Sequence, residues 1–266
     1  RKLFDELLAN QPATGRKGAL RVWNMLSQAS MDSLLGWHRP AELKLTNTIR
    51  VSPNNRHPVT ARALAIAEAT GSSPDTRMVP WLITQVTHDE SEYRQLVEYL
   101  AAPYDPARDS PEAKPFAYRR TQQRGHGRPW TDEFREIILE VGNENWHNRA
   151  MHEWIGVGRS GTVHQGGREM GVFLKHLAQE MRKSPYWNED KIKISFGGNY
   201  SAGVKGGKVT GYGQEAVQTG GDTADYHSHA TYVGPRWEVG EASQTSIDDS
   251  GVQKTLLAYR TSLADK

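Results

Sequence analysis

Ile137-Ile138-Leu139-Glu140-Val141-Gly142-Asn143-Glu144-Asn145-Trp146 runs from a nearly continuous apolar segment into a glycine and then into an Asn-Glu pair flanked by Trp. Apolar content on both faces is what a parallel strand covered by helices on one side and packed against its own sheet on the other requires. Gly142 marks its end. A carboxyl group just past the C-terminal end of such a strand stands where parallel α/β folds gather their reactive side chains. The bland alternative is that Asn143 and Glu144 cap the helix that follows.

Working outward, other apolar runs repeat the pattern. Ala19–Leu26 (ALRVWNML), Met78–Val86 (MVPWLITQV), Lys191–Phe196 (KIKISF) and Ala224–Val233 (ADYHSHATYV) read as strands. Between them lie helical stripes. Leu3, Phe4, Leu7 and Leu8 share a face, Val59–Thr70 is Ala-rich behind Pro58, and Tyr93, Leu96, Val97 and Leu100 follow the i, i+3, i+4, i+7 spacing. Thr87-His88-Asp89-Glu90 predicts the capping box of that last helix, with Glu90 reaching back to the Thr87 amide. Met170, Phe173, Leu174, Leu177 and Met181 predict a further helix, and Val252, Leu256, Tyr259 and Leu263 a final one. Residues 103–134 are polar and read as a long loop, and residues 197–223 as a Gly-rich link, with no hairpin expected.

This alternation implies an α/β fold with a parallel sheet, either open or closed into a (β/α)8 TIM barrel. Five strands are visible, with helices at both ends. The expectation is therefore one catalytic barrel domain over residues 1–266, a partial chain covering about strands 2 to 6 and cut at both ends.

Composition narrows the function classes. The 266 residues carry 33 Lys plus Arg against 31 Asp plus Glu, a balance that gives no polyanion-binding character and argues against a nucleic-acid partner. There is no Cys, so thiolate nucleophiles and Cys-ligated zinc are excluded. No segment reaches 18 consecutive apolar residues, so no membrane span is expected. The 8 Trp are many; Trp23, Trp81, Trp146 and Trp237 fall at or just past strand ends, where flat rings can pack on sugar faces.

A carboxyl group with a raised pKa beside a hydrogen-bonding Asn is the equipment for protonating a glycosidic oxygen. The VGNENW segment resembles the Asn-Glu acid/base motif of the clan of retaining glycoside hydrolases built on (β/α)8 barrels, especially the α-L-arabinofuranosidase type and related bacterial polysaccharide hydrolases. Other segments resemble that clan in the same order: Leu20–Met25 with Trp37–Pro40, Pro80-Trp81 with the helix after it, Arg124-Gly125-His126 through Pro129, and Asp225–His229. The resemblance implies Glu144 as acid/base, Asn143 as a hydroxyl-binding partner, Arg21 as a strand-end cation near the nucleophile, and Tyr226, His227 and His229 lining the pocket; Trp23, Trp81 and Trp146 join the substrate-binding set by their strand-end positions. It also implies a nucleophilic Glu at the end of strand seven. No crossover helix separates Glu241 in WEVGEAS from the sixth strand, so that nucleophile is expected beyond Lys266, with Glu241 as the fallback.

Three rival signals are weaker. His227 and His229 share a strand face and invite a metal with Asp225 or His88, yet two histidines fall short of the three protein ligands a catalytic zinc needs, so no metal or other cofactor is expected. Gly156–Gly161 matches GxGxxG without a preceding strand. Arg119, Arg120, Arg124 and Arg128 read as a solvated loop, with a basic patch for nucleic acid or an acidic polysaccharide as the alternative. The expected partner is a polysaccharide or oligosaccharide, and the expected location is secreted or periplasmic. The rival from another class is a non-catalytic carbohydrate-binding barrel without a functional nucleophile. Sequence leaves the oligomeric state open.

Overall fold

A computed structural model describes residues 17–22, 59–84, 88–142, 163–199, 203–205, 208–210, 212–220 and 223–230, with Asp5, Leu8, Ala9 and Gln11 near the start. The strands are β1 (Ala19–Val22), β2 (Val79–Thr84), β3 (Ile137–Val141), β4 (Ile192–Asn199), β5 (Gly203–Lys205), β6 (Lys208–Thr210) and β7 (Tyr226–Ala230). The helices are α1 (Val59–Glu68), α2 (Glu90–Ala101), α3 (Pro115–Arg124), α4 (Val163–Arg182) and α5 (Tyr212–Gly220). These elements belong to the unit Arg1–His229, with β7 running one residue further.

One sheet of five strands has the order β1-β2-β3-β4-β7. Its β1–β2, β2–β3 and β3–β4 pairs are parallel. These are the five strands read from the sequence, in chain order, and the curled sheet with its helices is a partial (β/α)-barrel-like fold. One face is apolar. Leu82, Leu139, Val141, Ile192, Ile194 and Phe196 pack there against Leu64 of α1, Tyr93, Leu96 and Leu100 of α2, and Met170, Leu174 and Leu177 of α4. Burial of this interdigitated layer supplies the main driving force for folding.

Several expectations need correction. Residues 103–134 are not one long loop: Pro115 opens α3, Gly125 closes it at φ 76°, and a short 3-10 turn follows at Trp130–Asp132. Lys114 gives α3 no side-chain cap; Glu98 of α2 accepts from the Phe116 and Ala117 amides at 2.9 and 3.2 Å, placing an anion at the helix start. The capping box of α2 lies two residues later than read. Asp89 accepts from the Glu92 amide and Glu92 from the Asp89 amide, each at 2.9 Å, and Ser91 Oγ donates to Asp89 as well. The Gly-rich link holds α5 and an antiparallel β5–β6 pair joined by two residues, so a hairpin is present. Strand β4 runs through Gly197 and Gly198 to Asn199 instead of stopping at Phe196, and α4 begins at Val163, ahead of its apolar stripe. The final stripe at 252–263 and the GxGxxG loop lie outside the described residues. Among the described residues, no helix is long and apolar enough to cross a membrane.

Candidate active site at the C-terminal edge of the sheet

Register assigns the second face of the sheet. Arg21 pairs with Trp81 and Trp81 with Ile138, while Ile83 pairs with Glu140 and Glu140 with Ser195. Paired residues of a parallel ladder project to one side, and residues two apart share it. Arg21, Trp81, Ile83, Ile138, Glu140 and Ser195 therefore form a face opposite the helix-packed core. This face carries a charged pair where the other carries hydrocarbon.

Glu140 is 2% exposed. Arg21 donates to it twice, Nε to Oε2 at 3.1 Å and Nη2 to Oε1 at 3.2 Å, in a side-on fork that spans from β1 to β3. The Trp81 ring lies under the guanidinium, its centroid 5.3 Å from Cζ. Burial pushes the Glu140 carboxyl above its ordinary value, and the hydrogen bonds and charge of Arg21 pull it part of the way back. Gly197 of β4 makes the room: a Cβ there would stand 2.6 Å from Glu140 Oε1. Ser228 Oγ would be 3.8 Å from that Cβ, so β7 reaches the same face through Ser228, and alternation turns His227 to the other. Trp81 also favours the charged form of Glu140 through its indole N–H, while, among the described residues, Ser195 Oγ is buried here without a hydrogen bond.

Strand β3 leaves the sheet just beyond this pair. The Gly142 amide donates to Thr84 O at 2.8 Å, and its φ of 75° turns the chain where an L side chain would be strained. Asn143 and Glu144 are the next two residues. They lie outside the described residues, as do Trp23, Trp146 and Glu241. The structure thus brings together Arg21 and Trp81 of the sequence-predicted set. Tyr226 is 41% exposed and its hydroxyl donates to Glu136 at 2.8 Å, just before β3 begins and at the far end of that strand from Gly142. His227 is partly buried in β7, and His229 is in β7 by its backbone. Sequence reasoning gave no role to Glu140, Gly197 or Ser228. The available signal was a carboxylate within an otherwise apolar strand, since a buried charge demands a partner.

Of the Arg cluster Arg128 is solvated, its side chain 66% exposed, but Arg119, Arg120 and Arg124 form neither a solvated loop nor a basic patch. Arg119 and Arg120 are 5% and 0% exposed, and Arg120 donates to the Tyr99, Ala102 and Gly127 carbonyls. Burial lowers its pKa to about 10. Arg124 lies against Trp130 at 3.7 Å and bridges Glu68 and Glu133, each at 3.0 Å, while Arg77 reaches Glu133 at 2.7 Å. Arg77 and Glu133 precede β2 and β3, so this network ties loops at the N-terminal ends of the strands, where barrels keep structural contacts. Among the described residues, no group of three or more His, Asp or Glu side chains is arranged to hold a metal ion.

No family model and no curated protein matches the chain. Among solved structures it is similar to an α-L-arabinofuranosidase from Thermotoga maritima in its arabinose complex, with TM-score 0.49 and 15% identity over 79% of this chain. The chain spans 35% of that protein's length. The likeness is distant and partial.

Proposed function

We propose that this chain is the central part, about strands 2 to 6, of a (β/α)8 retaining glycoside hydrolase acting on a polysaccharide or oligosaccharide. In this reading Glu144 protonates the leaving glycosidic oxygen and then, as carboxylate, activates the water that completes the reaction. Asn143 hydrogen-bonds a sugar hydroxyl, and Trp23, Trp81 and Trp146 offer ring faces to the sugar. The attacking carboxylate comes from a strand beyond β7, or from Glu241. The observation that carries the proposal is local: the Asn-Glu pair follows directly on the glycine that ends β3, at the edge where Arg21, Trp81 and buried Glu140 meet.

The near-balanced charge favours a neutral sugar over a polyanion. Secretion or a periplasmic location would suit a polysaccharide substrate. Incubation of the full-length protein with arabinan, xylan and neutral algal polysaccharides, followed by proton spectroscopy of the first product, tests the reaction class. Initial release of a sugar with the anomeric configuration of its substrate is the expected result. Binding of the polysaccharide without any release would favour the carbohydrate-binding rival, and release with inverted configuration would exclude the retaining mechanism.

A further inference from the structure

We propose that Glu140 is a positioning residue that aims the Arg21 guanidinium at the C-terminal edge of the sheet, and that Gly197 is the residue that permits it. The inference rests on reading that edge as the catalytic face. Four neighbouring strands each contribute one part: β1 the cation, β2 the Trp81 ring beneath it, β3 the carboxylate, and β4 the missing side chain. The fork uses Nε and Nη2 together, which fixes the plane of the guanidinium as well as its distance. A single contact would leave it free to rotate.

Exposure sets the direction of action. The Glu140 side chain is 3% exposed and that of Arg21 39%, so the carboxylate lies beneath and the guanidinium reaches outward from it. Glu140 therefore acts on chemistry at the edge through Arg21. Gly197 matters because any Cβ at that position would stand 2.6 Å from Oε1, and the carboxylate is the flexible partner that would move. Glycine at 197 is thus a condition of the fork and separate from strand pairing.

Two readouts test this. The Arg21 Nε–H signal, assigned in a nitrogen–proton correlation spectrum by its loss in R21K, is expected to exchange with water at least about tenfold slower than that of free arginine. E140Q and G197A should each bring exchange back toward the free value. G197A keeps both charged partners, so it decides the question if E140Q fails to fold. Unchanged exchange in G197A and in folded E140Q would overturn the proposal.

On p-nitrophenyl glycosides, E140Q and R21K should each lower kcat about tenfold or more with KM changed less than about threefold, and the double variant should be no worse than the poorer single one. Multiplying losses would mean that Glu140 does not act through Arg21. If the full-length protein hydrolyses neither these glycosides nor the polysaccharides, the glycosidase reading fails, while the exchange measurement still decides whether Glu140 and Gly197 hold Arg21.

Discussion

Replacing Arg21 with Met removes the cation from a buried carboxylate while keeping a side chain of similar reach. Breaking a fully buried pair typically costs about 3–5 kcal/mol, because the remaining charge has lost its compensation. Here the Arg21 side chain is 39% exposed and Glu140 only 3%, so water already screens one partner and the expected loss falls to about 1–3 kcal/mol at pH 7. For a chain of this size that is a melting shift of roughly 2 to 12 °C.

The loss depends on pH in a defined direction. Burial holds the Glu140 pKa above its ordinary 4.5, so the native state binds this proton more tightly than the unfolded chain does. Stability from this group is therefore greatest below 4.5 and falls as pH rises to the folded-state value. Without Arg21 that value climbs further and the fall deepens. Urea titrations followed by Trp fluorescence should show Arg21→Met less stable than the parent at pH 7, with the gap closing to within about 0.5 kcal/mol by pH 4, where Glu140 is protonated in both proteins. Adding Glu140→Gln should recover much of the loss at pH 7. A gap of the same size at pH 4 and pH 7, or none at pH 7, would refute the pairing argument.

Two other changes probe the N-terminal end of the strands. Glu133 would be raised by burial, but hydrogen bonds from Arg77 and Arg124 and the nearby charge of Arg128 hold it below its ordinary value, so its contribution is present above about pH 4.5 and lost as pH falls through the lower folded value. Glu133→Gln should cost about 2–4 kcal/mol in urea unfolding at pH 7 and progressively less below pH 4.5; a deficit independent of pH would count against the network. Arg120→Met strips donors from the Tyr99, Ala102 and Gly127 carbonyls and should cost about 3 kcal/mol or more by the same assay, whereas a loss under about 1 kcal/mol would mean those carbonyls find other partners.

Local pattern carried the sheet because its strands are short, apolar and bounded by glycine, as in Ile137–Val141 before Gly142. Helix α3 escaped because its buried face is made of Ala117, Arg119, Arg120, Thr121 and Gln123, so no apolar stripe announces it. Its Pro start and Gly stop were the signals to weigh. The β5–β6 hairpin was likewise signalled by Gly206-Gly207 between its two strands. Part of the site was legible. Arg21 follows from the resemblance and Trp81 from its place in a strand, and their register pairing and ring contact put them side by side. Glu140 was not chosen, because its meaning depends on a partner 119 residues away and on the missing Cβ at position 197, which no window of sequence displays.

Glu144→Gln in the full-length protein is the most direct test of the proposed acid/base assignment two residues after Gly142 in the sequence. The glutamine keeps the shape and cannot donate the proton, so turnover of an unactivated oligosaccharide should drop by at least about a hundredfold, with a much smaller loss on p-nitrophenyl glycosides whose leaving group needs little protonation. Near-normal turnover of the oligosaccharide by the folded variant would contradict the account.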